Sequence, residues 1–381
     1  MGTESGSLRS QSTRAKRMVA SIALITIVAT AAALVPVAVS QPSTGRASNA
    51  DASAILSTSG NSRFEGIPKL SHVFTIVLEN ESYSSTWGSG SPAHYLNSLR
   101  SQGELLTRYY GVGHSSTDNY IAMTSGQLPT ELTTNDCVNY EECVRNVSSA
   151  AVAHGANIGT QLQGAGLSWK GYFGDMPSPC FHAATGSGPD PYQGDSTSPP
   201  ARNYADRHNP FIYYRPIVGN KKLCDKHVVP YKQLASDLHD GSVPNYAFIV
   251  PNTCDDGHDS PCSTGQQGGL ATADAWLKKN VPPIIKYVEG HNGLLVITFD
   301  EGDGSDTSGC CGSGPGGRNG FGGRVGLLAI SPDVAKGKVN STPYDHDSLL
   351  RTIEDAFRLP NHLNHAGSLK EHAMTAIFTS H

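Results

Sequence analysis

The stretch that decides the fold is SHVFTIVL, Ser71 to Leu78, an almost unbroken run of apolar and β-branched residues. Strands that are covered on both faces have this composition, and burial of both faces is typical of parallel sheets. Similar runs recur as YAFIV (Tyr246 to Val250), LLVITF (Leu294 to Phe299) and VGLLAIS (Val325 to Ser331), with weaker ones at ELLTRYYGV and SWKGYF. The sequence therefore predicts a central, mostly parallel sheet.

Helical patterns alternate with these strands. The clearest runs from Asp347 to Arg358, where apolar residues recur at spacings of three and four and Pro360 follows the end. Four more helices are predicted at Pro92 to Gln102, Asn119 to Ser125, Gly159 to Gly164 and Thr272 to Lys279. Such alternation is typical of an α/β fold in which helices flank the sheet. We predict one domain over residues 67–381.

The N-terminus has the pattern of an export signal. Four basic residues between Arg9 and Arg17 precede an uncharged apolar run from Met18 to about Val39. Residues 1–40 are therefore predicted to form a signal peptide, or a membrane anchor, because the run is also long enough to span a bilayer. Residues 41–66, which are mostly polar, are predicted to form a disordered tether. The expected location is extracellular, secreted or anchored to the outer face of the plasma membrane.

Eight cysteines follow this segment, an even number in a chain with an export signal, so disulfides are expected. We predict that Cys137 pairs with Cys143, Cys254 with Cys262, and Cys180 with Cys224. The adjacent Cys310 and Cys311 remain without an assigned pairing at this point. No CxxC pair occurs, which disfavours a zinc-thiolate site.

The overall composition narrows the possible functions. The chain has 28 basic and 33 acidic residues, a formal net charge of -5, and so lacks the basic excess that nucleic-acid binding requires. Its 41 glycines and 23 prolines exclude a helical bundle and indicate long loops. The two longest are Pro177 to Pro230 and Gly302 to Gly323.

Oxygen-bearing side chains follow three of the predicted strands. Glu79 and Asn80 follow the first, Asp300 and Glu301 follow a later one, and PNTCDDGHD, Pro251 to Asp259, follows the third. In an open parallel sheet the carboxyl ends of the strands form the ligand-binding edge. Carboxylates gathered there repel one another unless a cation or proton compensates. The sequence thus predicts a hard divalent metal ion, Mg²⁺, Ca²⁺ or Mn²⁺.

A candidate nucleophile lies in GVGHSSTDNYIAMTSG, Gly111 to Gly126. Ser115, Ser116 and Thr117 precede a short predicted helix, so a hydroxyl there sits at the positive end of the helix beside unpaired N–H groups. Such groups hold phosphate oxygens. An ordinary helix N-cap is the alternative interpretation of the same residues.

Five motifs in this order resemble the bacterial phosphoesterase family: Glu79-Asn80, His114 to Tyr120, Pro251 to Asp259, Thr298 to Asp303 and Asp345 to Phe357. The similarity covers most of the chain from about residue 67 to residue 358. The family contains secreted acid phosphatases and phospholipases C within the alkaline-phosphatase-like superfamily, and mycobacterial-type secreted acid phosphatases are the branch this chain resembles most. The resemblance implies a three-layer α/β fold with a mostly parallel sheet.

The resemblance also implies the metal ligands and the nucleophile. Four residues match the family's metal ligands: Glu79, Asn80, Asp300 and Glu301. Ser116 matches the nucleophile, which would form a phosphoserine intermediate. Asp118 stands where the related enzymes usually have proline, so Ser115 and Thr117 stay open as alternatives.

Further residues match positions that face the substrate. Asn119 is expected to bond a phosphate oxygen, and His258 to contact phosphate or protonate the leaving oxygen. His346 and the pair Arg207 and His208 are expected to bind substrate.

The resulting hypothesis is a secreted, metal-assisted acid phosphatase. Its substrates are expected to be small phosphate monoesters or phosphoinositide headgroups, with no nucleic acid and no membrane contact except through substrate or an uncleaved anchor. A phosphodiesterase of phospholipase C type is the alternative, and a catalytically silent secreted binding domain is the third.

Overall fold

An eight-stranded sheet organises the computed structural model, which describes residues 63–145, 156–186, 188–193, 203–312 and 320–379. The strand order is β5-β4-β6-β1-β7-β8-β2-β9, and a separate two-stranded sheet pairs β10 with β3. The strands are β1 His72–Leu78, β2 Glu104–Leu106, β3 Tyr109–Tyr110, β4 Trp169–Phe173, β5 Val228–Pro230, β6 Tyr246–Val250, β7 Gly293–Phe299, β8 Leu327–Ile330, β9 Lys338–Asn340 and β10 Tyr344–Asp345.

Five neighbouring strands run parallel: β5, β4, β6, β1 and β7. Strand β8 pairs antiparallel with β7, and β2 pairs antiparallel with β8. Helices flank this sheet, so the predicted α/β fold with a mostly parallel central sheet is confirmed. The weaker run ELLTRYYGV divides into β2 and β3, because its first half joins the main sheet while Tyr109 and Tyr110 pair with β10.

The helices of the described residues are α1 Tyr83–Trp87, α2 His94–Ser98, α3 Ser116–Ser125, α4 Tyr140–Arg145, α5 Ile158–Gly164, α6 Arg215–Val218, α7 Lys221–His227, α8 Gln233–Asp240, α9 Gly269–Gly290 and α10 His346–Ala356. All five predicted helices are found with shifted ends. The predicted helix at Thr272 to Lys279 was too short, because α9 continues through Pro282 and Pro283. Interior prolines normally break a helix; here Val281, Ile284 and Val288 are buried and hold the later turns in the core.

The three predicted disulfides are confirmed, and Cys310 is bonded to Cys311. The predicted signal peptide and nearly all of the predicted tether lie outside the described residues. Within the described ranges, no helix is long and apolar enough to cross a membrane. The turn that begins at Arg63 already contacts the domain, since Arg351 forms an ion pair with Glu65.

Three adjacent parallel strands, β6, β1 and β7, bring their carboxyl ends to one edge of the sheet. Main-chain hydrogen bonds join the segments that follow them. The Glu79 N–H donates to the Asp256 carbonyl at 2.9 Å, and the Asp300 N–H donates to the Leu78 carbonyl at 2.9 Å. The strand-end acids that the sequence indicates are thereby held side by side.

Candidate active site

Four buried side chains meet at this sheet edge, and we call them the edge cluster: Glu79, His208, Asp256 and Asp300. The acids follow β1, β6 and β7, whereas His208 ends a short 3₁₀ turn in the long Pro177 to Pro230 loop. Its Nε2 lies 3.4 Å from Glu79 Oε2 and its Nδ1 lies 3.3 Å from Asp256 Oδ2. Ligand atoms of Glu79, His208 and Asp256 all lie within 4.8 Å of one another, close enough to hold one metal ion.

Burial dominates the electrostatics of the edge cluster. It raises the pKa of Glu79 well above its ordinary value, and the Asp300 and Asp256 carboxylates raise it further. Burial likewise raises the pKa of Asp256 strongly and that of Asp300 to about 6. The pKa of His208 falls well below its usual value through burial and then through nearby Arg207. These shifts are expected wherever acids are packed together without a compensating cation.

Four polar atoms around this cluster have no hydrogen-bond partner among the described residues: Asn80 Oδ1, His208 Nε2, Asp256 Oδ2 and Asp300 Oδ2. Leaving such a group unsatisfied in the interior costs roughly 1–3 kcal/mol. A divalent cation would satisfy them, so the residues present fit the predicted metal. An imidazole among oxygen ligands suits Mn²⁺ or Zn²⁺ as well as it suits the harder ions.

Asn80 connects two strand ends by its main chain. Its φ of +55° lies in the left-handed region, which asparagine enters more readily than most residues. This turn directs the Asn80 N–H at Asp300 Oδ1, 3.1 Å away, and the same oxygen accepts the Glu301 N–H at 2.7 Å. One Asp300 oxygen is thereby fixed by the backbone and the other is left for a ligand.

Ser116 is the first residue of α3, and its hydroxyl donates to Glu79 Oε2 at 3.0 Å. The other two candidate hydroxyls are directed elsewhere. Ser115 Oγ donates to the carbonyls of His114 and Thr134, and Thr117 Oγ1 donates to the Arg207 carbonyl. Ser116 is thus the hydroxyl of the three that bonds to the edge cluster. Its assignment as nucleophile stays a prediction.

The helix that carries Ser116 is buried along its whole length and ends where the sequence indicates. Gly126 closes it with a φ of +67°. A Cβ at this position would lie 2.6 Å from the Leu363 carbonyl oxygen, so glycine serves both the backbone conformation and the close approach. At the other end of α3, Ser116 bonds to Glu79, so the positive end of the helix points at the edge cluster.

Arg207 and His258 lie beside the edge cluster as a bonded pair. The Arg207 guanidinium donates to His258 Nε2 at 3.0 Å, and His258 Nδ1 lies 2.9 Å from Asp259 Oδ1. Because arginine can only donate, Nε2 must accept and the proton of the ring must sit on Nδ1, donated to Asp259. The predicted role of His258 as proton donor requires substrate to draw Arg207 away.

Asn119 and Glu301 bond to each other rather than to the edge cluster. Asn119 Nδ2 donates to Glu301 Oε2 at 3.2 Å, while Asn119 Oδ1 accepts the N–H groups of Val112 and Gly113. The Asn119 amide therefore holds the loop before α3. The predicted phosphate contact of Asn119 and metal contact of Glu301 stay predictions, since each would have to form in addition to these bonds.

His346, predicted to bind substrate, lies behind the site and is fully buried. Its Nε2 is 2.6 Å from the Asp300 carbonyl oxygen and its Nδ1 is 3.0 Å from the Tyr109 hydroxyl. Burial lowers the pKa of His346 to about 4, so the ring is neutral. These contacts describe a positioning residue for Asp300; direct substrate binding by His346 stays a prediction.

Two members of the site were not assigned a role from the sequence. Asp256 belongs to the acidic run after β6, but nothing in the run distinguishes it from Asp255, whose carboxylate accepts from Asn252 instead. Tyr120 donates its hydroxyl to Glu79 Oε1 and stacks on the His208 ring at 5.5 Å between centroids. Tyr120 belongs to the sequence motif that contains Ser116, but its contacts with Glu79 and His208 form only when α3 packs on the sheet.

The amino-acid sequence of this chain matches a known protein family. The model of the Phosphoesterase family matches residues 89–360. A Mycobacterium tuberculosis protein named phosphatidylinositol-3-phosphatase is 27% identical over 294 residues, 77% of this chain and 79% of its own length. A probable acid phosphatase of Kluyveromyces lactis is 28% identical over 297 residues, and there the alignment covers 77% of this chain and 60% of the yeast protein.

Solved structures show more distant similarity. A protein of the alkaline phosphatase superfamily from Vibrio parahaemolyticus is 12% identical with a TM-score of 0.46, over 75% of this chain and 66% of that one. That similarity is too low to say anything about the site. The family match itself covers more than half of the sequence and agrees with the motifs. The chain belongs to the Phosphoesterase family, whose members are hydrolases acting on phosphoric ester bonds.

Proposed function

We propose that the protein is an exported, metal-assisted acid phosphatase that cleaves phosphate monoesters through a phosphoserine at Ser116. One observation carries the proposal: the Ser116 hydroxyl, at the positive end of α3, donates to the buried carboxylate of Glu79 at 3.0 Å. A hydroxyl needs a neighbouring base or a lowered pKa to act as a nucleophile, and Glu79 is in place as that base.

The proposed reaction has two steps. Ser116 Oγ attacks phosphorus and transfers its proton to Glu79, while the bond from phosphorus to the leaving alkoxide oxygen breaks. Water then attacks the phosphoserine, the bond from phosphorus to Ser116 Oγ breaks, the proton on Glu79 returns to that oxygen, and inorganic phosphate is released. The positive end of α3 stabilises charge on the phosphoryl oxygens, because Ser116 is the first residue of the helix.

A divalent cation held by Asn80, Asp256, Asp300 and His208 would neutralise the two aspartates and the charge on the phosphoryl oxygens, which leaves Glu79 as the base. Arg207 binds the phosphate group, and His258 provides the proton for the leaving oxygen. An incoming phosphate competes for the Arg207 guanidinium, which releases His258 Nε2. The ring, oriented by Asp259, can then take up a proton and give it to the leaving oxygen.

The substrate class is supported by the relatives. One is named a phosphatidylinositol-3-phosphatase and others are named acid phosphatases, so we propose phosphomonoesters that include phosphoinositide headgroups. Export is supported by the N-terminal sequence and by four disulfides among the described residues.

A paired-substrate assay tests this proposal. Purified protein is given p-nitrophenyl phosphate, bis(p-nitrophenyl) phosphate or vesicles containing phosphatidylinositol 3-phosphate between pH 4 and 9, with and without chelator. We expect turnover of the monoester and of the lipid, greatest at acidic pH and lost with chelator. Preference for the bis-ester would replace the proposal with the phospholipase C-type alternative, and turnover of none of the substrates would leave a binding domain.

A further inference from the structure

A second group of buried titratable side chains lies at the start of α10, and we call it the helix cluster: Asp347, His365 and Glu371. Asp347 is the second residue of α10, and the other two come from the segment that returns past the helix. Ligand atoms of all three lie within 4.8 Å of one another. Asp347 and Glu371 are 1% exposed, whereas the His365 side chain is 24% exposed.

The carboxylate of Asp347 is buried without a hydrogen bond. Neither of its oxygens has such a partner among the described residues, and the same is true of Glu371 Oε1 and His365 Nδ1. His365 Nδ1 lies 3.7 Å from Asp347 Oδ2. By contrast, Asp345 two residues earlier caps the helix by accepting the N–H groups of Asp347 and Ser348. Helix capping therefore does not account for Asp347.

In the part of the chain that the structure describes, no lysine or arginine forms an ion pair with the helix cluster. Arg351, one turn along α10, is directed at Glu65 and at the carbonyls of Ala366 and Ser368. Burial raises the pKa of Asp347 strongly and that of Glu371 to about 8. An isolated buried carboxylate costs several kcal/mol unless a proton or a cation compensates for its charge. The helix cluster therefore requires either a bound proton or a bound cation.

We propose that the helix cluster is a second divalent-cation site, separate from the edge cluster, with Asp347, His365 and Glu371 as ligands. Two carboxylates and one imidazole suit Zn²⁺ or Mn²⁺, and three protein ligands leave a position for water. The exposed part of His365 provides the route of entry. The neighbouring Cys310, Cys311 and Asp345 also approach one another, but those sulfurs are bonded as a disulfide and do not bind metal.

The site has a structural consequence for the catalytic edge. His346, the residue before Asp347, bonds the Asp300 carbonyl and begins α10. A cation that ties Asp347 to His365 and Glu371 holds the first turn of the helix to the segment behind it. We infer that this ion acts as a brace, and the inference is independent of whether Ser116 is the nucleophile.

Metal stoichiometry tests the site directly. The full chain is freed of metal with chelator, loaded with Zn²⁺ or Mn²⁺ alone, and analysed for bound metal per chain. Asp347→Asn and His365→Gln are each expected to bind one equivalent fewer than the unaltered protein. Any ion that remains in the helix cluster should bind at least about 100-fold more weakly, as measured against a chromophoric chelator.

Glu354→Gln is the matched control, because it removes a buried carboxylate on the same helix outside the ligand set, and it should keep the full number of equivalents. Circular dichroism checks the fold of each variant. Should Asp347→Asn fail to fold, His365→Gln, changed at a partly exposed position, decides the question. Unchanged stoichiometry and affinity in the folded variants would overturn the proposal.

Discussion

The edge cluster and the helix cluster are both buried groups of acids with one histidine, yet they are held together differently. In the edge cluster every carboxylate accepts at least one hydrogen bond: Glu79 from Ser116, Asp256 from the His258 N–H and Asp300 from two main-chain N–H groups. In the helix cluster Asp347 accepts none among the described residues. Glu371 accepts the Ser348 hydroxyl, so it is Asp347 whose position depends on whatever compensates for its charge, whereas hydrogen bonds fix all three acids of the edge cluster in advance.

This difference suits different tasks. Catalytic groups must be positioned before substrate arrives, since transition-state stabilisation depends on preorganised donors and acceptors. A bracing ion has no such requirement, because its ligands need only close around it. His346 joins the two clusters through the Asp300 carbonyl, so changes at each cluster, and at this link, should produce separable effects.

The largest effect is expected at the edge cluster. Ser116→Ala removes the proposed nucleophile, and we expect the turnover number to fall at least about 10⁴-fold, as for the nucleophile of other covalent hydrolases. Thermal unfolding should change little, because Glu79 keeps its bond from Tyr120. Kinetics with p-nitrophenyl phosphate and a melting curve measure both. If Ser116→Ala remains active while Ser115→Ala or Thr117→Val is inactive, the nucleophile lies at one of those residues instead.

A smaller effect is expected at the link. His346→Gln should lower kcat about 10- to 100-fold with little change in KM, since a displacement of Asp300 near 1 Å disturbs the reacting geometry without removing a substrate contact. Tyr109→Phe, which removes the hydroxyl bonded to His346 Nδ1, should have a milder effect in the same direction. A fall in melting temperature with kcat unchanged would mean that His346 only supports the fold, and a rise in KM alone would favour direct substrate binding.

The smallest effect concerns the pH dependence of stability on α10. Burial raises the pKa of Glu354 to about 8, with the Leu363 N–H bonded to its carboxylate, a nearby Asp355 raising the pKa and Arg351 lowering it. An acid whose folded pKa is raised keeps its proton in the folded state, so the free energy of unfolding falls as pH rises from the unfolded pKa towards 8.

Relative to Glu354→Gln, the unaltered protein should therefore lose up to roughly 1.4 kcal/mol of unfolding free energy per pH unit across that window, and nothing further above it. Urea unfolding between pH 4 and 9 in the presence of chelator measures the difference. If the unfolding free energies of the two proteins change with pH in the same way, Glu354 does not have the expected raised pKa.

Much of the fold and part of the site could be predicted from residue order. The apolar runs at Ser71 to Leu78 and Leu294 to Phe299 could only be buried strands, and acids directly after parallel strands must meet at one edge. Glu79 and Asp300 were found in this way. The length of α9 was underestimated because local rules stop a helix at Pro282, whereas burial of the following residues against the core sustains it.

The positions of single functional atoms were less predictable. Glu301 and Asn119 match family positions, yet their side chains bond to each other, and His258 is occupied by Arg207. Such pairings depend on which rotamers fit once the loops pack. Local sequence patterns do not predict these pairings, because the partners come from segments that are distant in the chain.

The sequence by itself determined the α/β architecture, the sheet edge that carries the acids and the disulfide pairs that close single loops, because each follows from periodicity, spacing or strand direction. Only the tertiary structure decided which hydroxyl faces Glu79, that His208 and Asp256 complete the edge cluster, and that Asp347, His365 and Glu371 meet at all. These last contacts are made by chain segments with no common pattern, and burial in one core selects them.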